Sequence, residues 1–360
     1  MIYLDHGATT AVLPEVVEAM TPYFMEYYGN PSGHYEYGET SKKAIEQVRR
    51  TIADSLGAQP EEIYFTAGGT ESDNWALHGM ADLHPGGHII TTQIEHHAIL
   101  HTCEYLEKKG MRVTYLPVDE KGMISVMFAN NEIGTIQPID DIGKIATKYN
   151  ICFHTDAVQA YMHLRINVHD MAISMLSASA HKFGGPKGVG FLYIRKDQPI
   201  RAFMHGGSQE RHMRSGTENV PGIVGMGKAV ELGMKHGKEE AAYVKKLRND
   251  TIKKLFREIP YLRLNGDFHH RLPGNINISF QFVEAQSLLV LLDMQGICAS
   301  AGSACTSGDK GISHVLQAIH LREDLARGTL RFTLGADNTP EEMEELVKQL
   351  KLLVNDLRSF

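Results

Sequence analysis

The residue with most chemistry to offer is a lysine at the close of an apolar run. Ser179-Ala180-His181-Lys182 follows Met171 to Leu176, which reads as a buried strand. It precedes Gly184-Gly185-Pro186-Lys187-Gly188, where backbone can come close to a ligand. Burial disfavours the ammonium form and makes lysine an amine nucleophile suited to Schiff-base chemistry. The plain alternative is a lysine snorkelling beside a glycine turn. The second reactive candidate is Cys305, set among small residues from Ser300 to Gly308. Such a stretch has little side chain with which to pack and is expected to be mobile. A structural cysteine sits among apolar groups, so this thiol reads as a reactive one.

Other polar groups also stand at the ends of apolar runs. Ala67-Gly68-Gly69-Thr70-Glu71-Ser72 lies between a strand ending at Phe65 and a helix. A helix start offers free N–H groups and positive dipole to a phosphate, with the Thr70 hydroxyl added. It matches neither the Walker nor the dinucleotide pattern, and a helix cap by Thr70 with Asp73 explains it equally. Asp156 follows the apolar run Ile151 to Phe153; it can pair with a protonated ring nitrogen or cap a helix. His96, after Ile89 to Thr92, can stack on a flat ring, move protons, or be structural. Its neighbour His97 does not face it on a helix, so no metal site is read there. Asn131, after Val126 to Phe128, offers an amide or forms a turn. The loop Arg214 to Asn219 offers a cation and hydroxyls to an anion, or caps the next helix. Arg331, inside the apolar strand Thr329 to Thr333, wants a carboxylate, from a substrate or from the chain itself.

Elements of two kinds must position these groups. Strand-like runs (Ile63 to Phe65, His88 to Thr92, Val113 to Tyr115) alternate with helical ones (Glu71 to Met80, Ala98 to Lys109), which predicts α/β with a mainly parallel sheet. A Lys/Glu-rich helix from about 228 to 258 reads as a connector, followed by a smaller α+β part with a strand at Ile276 to Phe280. The expected domains are 14–240, and 1–13 folded back onto 241–360. The chain of 360 residues can fill two such cores. Its 42% hydrophobic and 22% charged content is ordinary for a globular protein. A net charge of −7 argues against direct nucleic-acid binding. Cys103, Cys152, Cys298 and Cys305 have neither metal-ligand nor disulfide-framework spacing, so reduced thiols and a cytoplasmic setting are expected. No apolar run is long enough to span a membrane.

Taken together the chain resembles the cysteine desulfurases of the NifS/IscS-like branch, pyridoxal 5'-phosphate enzymes of the class V aminotransferase family and fold type I. The matching stretches run in family order over nearly the whole chain: Tyr3-Leu4-Asp5 with Ala8-Thr9-Thr10, Gly29-Asn30-Pro31-Ser32, Thr70 to Asn74, Glu95-His96, Asn130 to Gly134, Asp156 with Gln159, Ser179 to Gly188, Arg214 to Thr217, Leu272 to Asn275 and Gly302 to Ser307. The resemblance implies that Lys182 holds the cofactor covalently and later removes the substrate's Cα proton. It implies that Asp156 keeps the ring nitrogen protonated, Gln159 bonds the phenolic oxygen and His96 stacks on the ring. Gly69, Thr70, Ser179 and His181 match phosphate ligands, and Thr217 matches one supplied by the other subunit of a homodimer. Asn131 and Arg331 match the groups that hold the carboxylate of L-cysteine. Cys305 would take the sulfur as a persulfide, L-alanine would leave, and an acceptor protein for iron–sulfur clusters, thio-cofactors or tRNA thiolation would follow. A selenocysteine lyase and a non-catalytic assembly partner are the alternatives.

Three departures stand out. A helix that the family carries is missing between Ile124 and Ser125. Gly33-His34-Tyr35 shifts a histidine by one. Asp5-His6-Gly7 replaces a more usual Asp-Asn-Ala.

Overall fold

A computed structural model describes residues 1–116, 127–301 and 312–359. Its strands are β1 (Ile2–Tyr3), β2 (Ile63–Thr66), β3 (His88–Thr92), β4 (Arg112–Leu116), β5 (His154–Asp156) and β6 (Met175–Ser179). After them come β7 (Gly190–Ile194), β8 (Leu262–Leu264), β9 (Asn275–Phe280), β10 (Ile297–Cys298) and β11 (Thr329–Thr333). One sheet runs β2-β7-β6-β5, with β7 antiparallel to both neighbours and β5 parallel to β6; β3 and β4 form a parallel pair. The sheet is therefore mixed, and helices cover it, as expected of an α/β chain. A second, antiparallel sheet runs β11-β9-β8, and β1 pairs with β10 in parallel.

Two separate cores lie around these sheets. The first gathers Ile45, Ile52, Phe65, Phe153, Leu176 and Phe191 with their neighbours. The second gathers Leu4, Ile276, Ile278, Phe280, Phe332 and Leu346. The helix Val220–Glu258 belongs to both, and it starts earlier than the charged stretch alone suggests. Asn219 caps it by accepting from Gly222 N, and Pro221 sits in its first turn. Val220, Ile223, Met226 and Val230 enter the first core; Val244, Leu247, Ile252 and Leu255 enter the second. Gly227 is required there, because a Cβ would stand 2.4 Å from Val48 Cγ2. The last helix, Pro340–Arg358, is set by a capping box between Thr339 and Glu342 and buries Met343, Leu346, Val347, Leu350 and Val354.

Two expected strands begin later than hydrophobicity alone predicts. Met171 to Ser174 is not strand: Asn167 Oδ1 accepts from His169 N and Asp170 N, Ala172 takes φ 50°, and the ladder starts at Met175. Likewise Ile151 to Phe153 leads in, from Asn150 at φ 51°, to a ladder that starts at His154. Met127 and Phe128 form a bend rather than a strand, although Phe128 N donates to Asp156 O at 2.8 Å; Val126 lies outside the described residues. The Ile124–Ser125 junction lies outside them too.

The N-terminal residues return to the second core through β1 and then cross to the first. On the way His6 places Nδ1 3.0 Å from Thr333 O and Nε2 3.0 Å from Asp337 Oδ1. Burial works against a charge on His6, but the Asp337 hydrogen bond and carboxylate outweigh it and raise its pKa. The same hydrogen bond lowers that of Asp337. A raised histidine stabilises fully below its unfolded value of about 6.5 and loses that contribution as pH rises through the folded value. With Asp337 73% exposed, the effect stays below about 1 kcal/mol. His6→Asn should therefore lower Tm more at pH 6 than at pH 8.5; an equal loss at both would show that the ion pair contributes nothing.

Candidate active site

The helix Gly69–Ala81 follows β2 after a two-residue turn, and its N-cap is Gly68, not Thr70. No side chain caps its first turn, so the N–H groups there remain available to an anion. Gly68 has φ 153°, a conformation that favours glycine. Its Cα is so close to β7 that a Cβ on Gly190 would lie 2.8 Å away, and 2.4 Å from Ala178 O. A Cβ on Gly69 would meet Val158 Cγ2 at 2.5 Å. The helix start thus lies directly over the ends of the sheet. Beside it is a cleft of about 840 Å³ lined by Gly68, Gly69, Thr70, Ser179, His181 and Lys187, among others. His181 is kept neutral: burial, then the charges of Lys182 and Lys187, lower its pKa to about 4.

Lys182 ends a short 3-10 turn, Ala180–Lys182, that directly follows β6. Its Nζ donates to Gly7 O and to Ala8 O, both at 2.7 Å. The Gly7 carbonyl also accepts from Gln159 Nε2 at 2.9 Å. Residues 7–10 therefore form one wall of the site, and Thr10 N fastens that wall to His181 O at 2.9 Å. The half-buried lysine is anchored, not snorkelling into solvent.

Asp156 closes β5 with 6% exposure, and its Oδ1 accepts from Val158 N at 2.9 Å. Burial raises its pKa; the charges of His96 and Lys182 and the Val158 N–H pull the other way. Behind it lies Asp73, 1% exposed, with Oδ1 lacking a hydrogen-bond partner. Burial first, then the Asp156 charge, push Asp73 well above the carboxylate range. His154, 3.7 Å from Asp73 and bonded to Ser177 Oγ, is held near 3 by burial and stays neutral. His96 caps the helix His97–Lys108, accepting from Ala98 N at Nδ1. Among the described residues no group of His, Cys, Asp or Glu could hold a metal ion.

Arg331 is 1% exposed and already has a carboxylate from the chain: Nη2 reaches Asp5 Oδ1 at 2.8 Å. Nη2 also reaches Ser300 Oγ at 3.2 Å and Nη1 reaches Asn131 O at 3.1 Å, while Nε has no partner. Asn131 therefore meets Arg331 through its main chain. Thr217 is exposed and does not line this chain's cleft; the strand-like turn before it is tied by Arg214 to Glu71 at 2.8 Å. Cys305 lies outside the described residues. Sequence reasoning named Asp73 only as a cap partner, a role that the uncapped helix does not show, and did not find His154 or the Gly7 and Ala8 carbonyls. An acid in the apolar register of a helix was the available signal for Asp73; contacts between separate elements gave none for the others.

An uncapped helix start beside a cleft, with a lysine amine anchored on that cleft's Ala8 and a buried acid at a neighbouring strand end, is the kind of arrangement that suits an enzyme built around a phosphorylated cofactor. The chain belongs to the class-V aminotransferase family, which it matches over residues 2–346. It is 51% identical over 377 aligned positions to "Cysteine desulfurase IscS" of Methanosarcina thermophila, covering 100% of this chain and 93% of that one. The alignment is longer than the 360 residues here, so that relative carries positions this chain lacks. Among solved structures, a "NIFS-LIKE PROTEIN" superposes with TM-score 0.92 at 37% identity, covering 99% of both chains. A structure described as "SspA in complex with cysteine" gives 0.83 at 38%, covering 94% of this chain and all of the other.

Enzymes of this family depend on pyridoxal 5'-phosphate, and the residues here fit it. The bare helix start accepts a phosphate, the buried Asp156 suits a ring nitrogen, and the Lys182 amine can bind an aldehyde. Gly190→Ala tests the cradle. The added methyl must push Gly68 off the sheet, so the purified variant should lose cofactor affinity by about tenfold or more, read by titrating the visible absorbance. Unchanged affinity would mean that the close approach at Gly68 is not needed.

Proposed function

We propose that this chain works as a cysteine desulfurase that converts L-cysteine to L-alanine and passes the sulfur to Cys305. The observation that carries the proposal is the Lys182 amine, fixed on Gly7 and Ala8 beside an uncapped helix start and a buried acid. Full-length similarity to proteins named cysteine desulfurase, and a related structure solved with cysteine, support the choice of substrate.

Bound pyridoxal phosphate supplies an electron sink for the pair released when the substrate loses its Cα proton. Gly69, Thr70, Ser179 and neutral His181 hold the phosphate. Asp156 holds the negative charge that keeps a ring nitrogen protonated, His96 stacks on the ring, and Gln159 turns from Gly7 O to the phenolic oxygen. Arg331, whose Nε–H has no partner, takes the substrate carboxylate with Asn131. Lys182 would hold the cofactor and, once the substrate is bound, its amine would remove the Cα proton. The Cys305 thiolate attacks the substrate sulfur; the S–S bond forms as C–S breaks, and protons returned to the carbon complete L-alanine. One cysteine and one thiol thus give one alanine and one persulfide.

Residues 14–240 form the cofactor-binding domain, and 1–13 with 241–360 the smaller one. The protein acts as a cytoplasmic homodimer in which exposed Thr217 reaches the partner's phosphate, and it hands sulfur to an acceptor protein in iron–sulfur or thio-cofactor synthesis. No helix among the described residues is long and apolar enough to cross a membrane.

Two variants test the assignment of roles. Cys305→Ala should keep the cofactor's colour and its change on adding cysteine, while alanine formation falls to background. Lys182→Ala should lose the covalent cofactor bond, read by mass after borohydride reduction. Sulfide release at the normal rate from Cys305→Ala would remove the nucleophile from the scheme.

A further inference from the structure

The described chain on either side of Cys305 carries a serine, and the two serines are fastened to two groups that are themselves linked, Arg331 and Glu132. Ser300 N donates to Arg331 O at 3.1 Å and Arg331 N to Ser300 O at 2.7 Å; Arg331 Nη2 adds the bond to Ser300 Oγ. On the far side Ser313 Oγ donates to Glu132 Oε2. Glu132 follows Asn131, whose carbonyl accepts from Arg331.

Glu132 has no exposure at all. Its main chain is pinned: N donates to Asn130 Oδ1 at 2.9 Å, and O accepts from Asn275 Nδ2 at 3.0 Å and Asn277 Nδ2 at 3.1 Å. Those bonds need no carboxyl group. The side chain has a single partner, Ser313, and Oε1 has none. No salt bridge reaches it; Arg331, His314 and His96 act on it only as neighbouring charges. Burying a carboxyl for one hydroxyl is unfavourable, so stability alone does not explain the residue. Ser313 also caps the helix His314–Ala318, accepting from Val315 N at 3.1 Å, and His314 Nε2 lies 3.0 Å from Glu95 O. The chain returning from Cys305 is thus tied at Ser313 to the turn that bears Asn131.

We propose that Glu132 and Ser313 are positioning residues for the sulfur-transfer step, tying the far end of the Cys305 stretch to the turn that meets the substrate carboxylate. The inference rests on the desulfurase reading above. It separates two halves of the reaction: substrate engagement with the cofactor, which does not need the tie, and attack of the thiol, which does.

The test uses the cofactor-loaded enzyme and its Glu132→Gln, Ser313→Ala and Ser313→Thr variants. Each is checked for full cofactor absorbance. Glu132→Gln and Ser313→Ala should keep the cysteine-induced spectral change at an unaltered cysteine concentration. Alanine turnover and persulfide on Cys305, read by mass spectrometry, should fall together by about tenfold, the loss expected for one strong hydrogen bond. Combining the two should cost no more than either alone, because both break the same contact. Ser313→Thr, which keeps the hydroxyl and the cap, should restore turnover. Wild-type turnover in Glu132→Gln overturns the proposal, and so does loss of the spectral change in step with turnover. If the unaltered enzyme forms no alanine from cysteine, the desulfurase reading itself fails, a result distinct from these.

Discussion

Everything in the site depends on how residues 5–10 cross from one core to the other. On one side His6 and Gly7 N are bonded to Thr333, and Asp5 to Arg331. On the other, the Gly7 and Ala8 carbonyls hold Lys182, and Thr10 holds His181. The strand that places the guanidinium and the turn that places the amine are thus both fixed to one short segment, turned on itself where Ala8 N donates to Asp5 O at 2.9 Å. Under the proposed function a substrate amino acid would use both groups at once, one for its carboxylate and one for its Cα proton, and a fixed separation would orient it. Gly7 is tight: a Cβ there would stand 3.0 Å from Thr333 Cγ2. A side chain at position 7 would therefore have to displace the threonine packed against it.

The second constraint is charge. Burial opposes the anionic form of Asp156, and the Asp156 charge in turn adds to the burial that raises Asp73. His154 offers no compensating charge, because burial keeps it neutral. The conflict resolves by dividing the roles. Asp156 keeps a backbone N–H from Val158 and the nearby Lys182 charge, whereas Asp73 Oδ1 has no hydrogen-bond partner among the described residues. Of the two, Asp73 is therefore the one pushed further towards its neutral form. Neighbouring carboxyl groups whose surroundings shift their proton affinities unequally are a common way to dedicate one of them to a task.

Much of this was legible in the sequence, because Lys182, Asp156, Thr70 and Arg331 each stand at a boundary that local pattern marks: a strand end, a helix start, a charge in an apolar run. Where local pattern failed, tertiary contacts decided. The apolar run at Met171 looked like strand, but an Asn167 turn delays the ladder by four residues. Arg331 called for a carboxylate, and only the fold shows that Asp5, more than three hundred residues earlier in the chain, supplies one. Thr70 looked like a cap, but Gly68 holds that place and leaves the first turn bare. Asp73 and His154 were invisible as a pair, since a helix and a strand bring them together.

Two of the joins between the cores resist relative rotation. One is the turned segment at residues 5–10; the other is the helix Val220–Glu258, 39 residues and roughly 60 Å long. A helix with unbroken i→i−4 bonds has no hinge of its own; a sharp bend needs a proline, a bulge or an inserted group. Its only proline is in the first turn, and its middle is braced where Gly233 and Gly237 pass close to Met162. Rotating one core against the other would have to bend this helix and also break the bonds of Gly7 and Ala8 to Lys182. The amine and the guanidinium are therefore placed by the fold before any ligand arrives. The described chain on either side of Cys305 is fixed to the same region, at Ser300 on Arg331 and at Ser313 on Glu132, whose neighbour Asn131 accepts from Arg331.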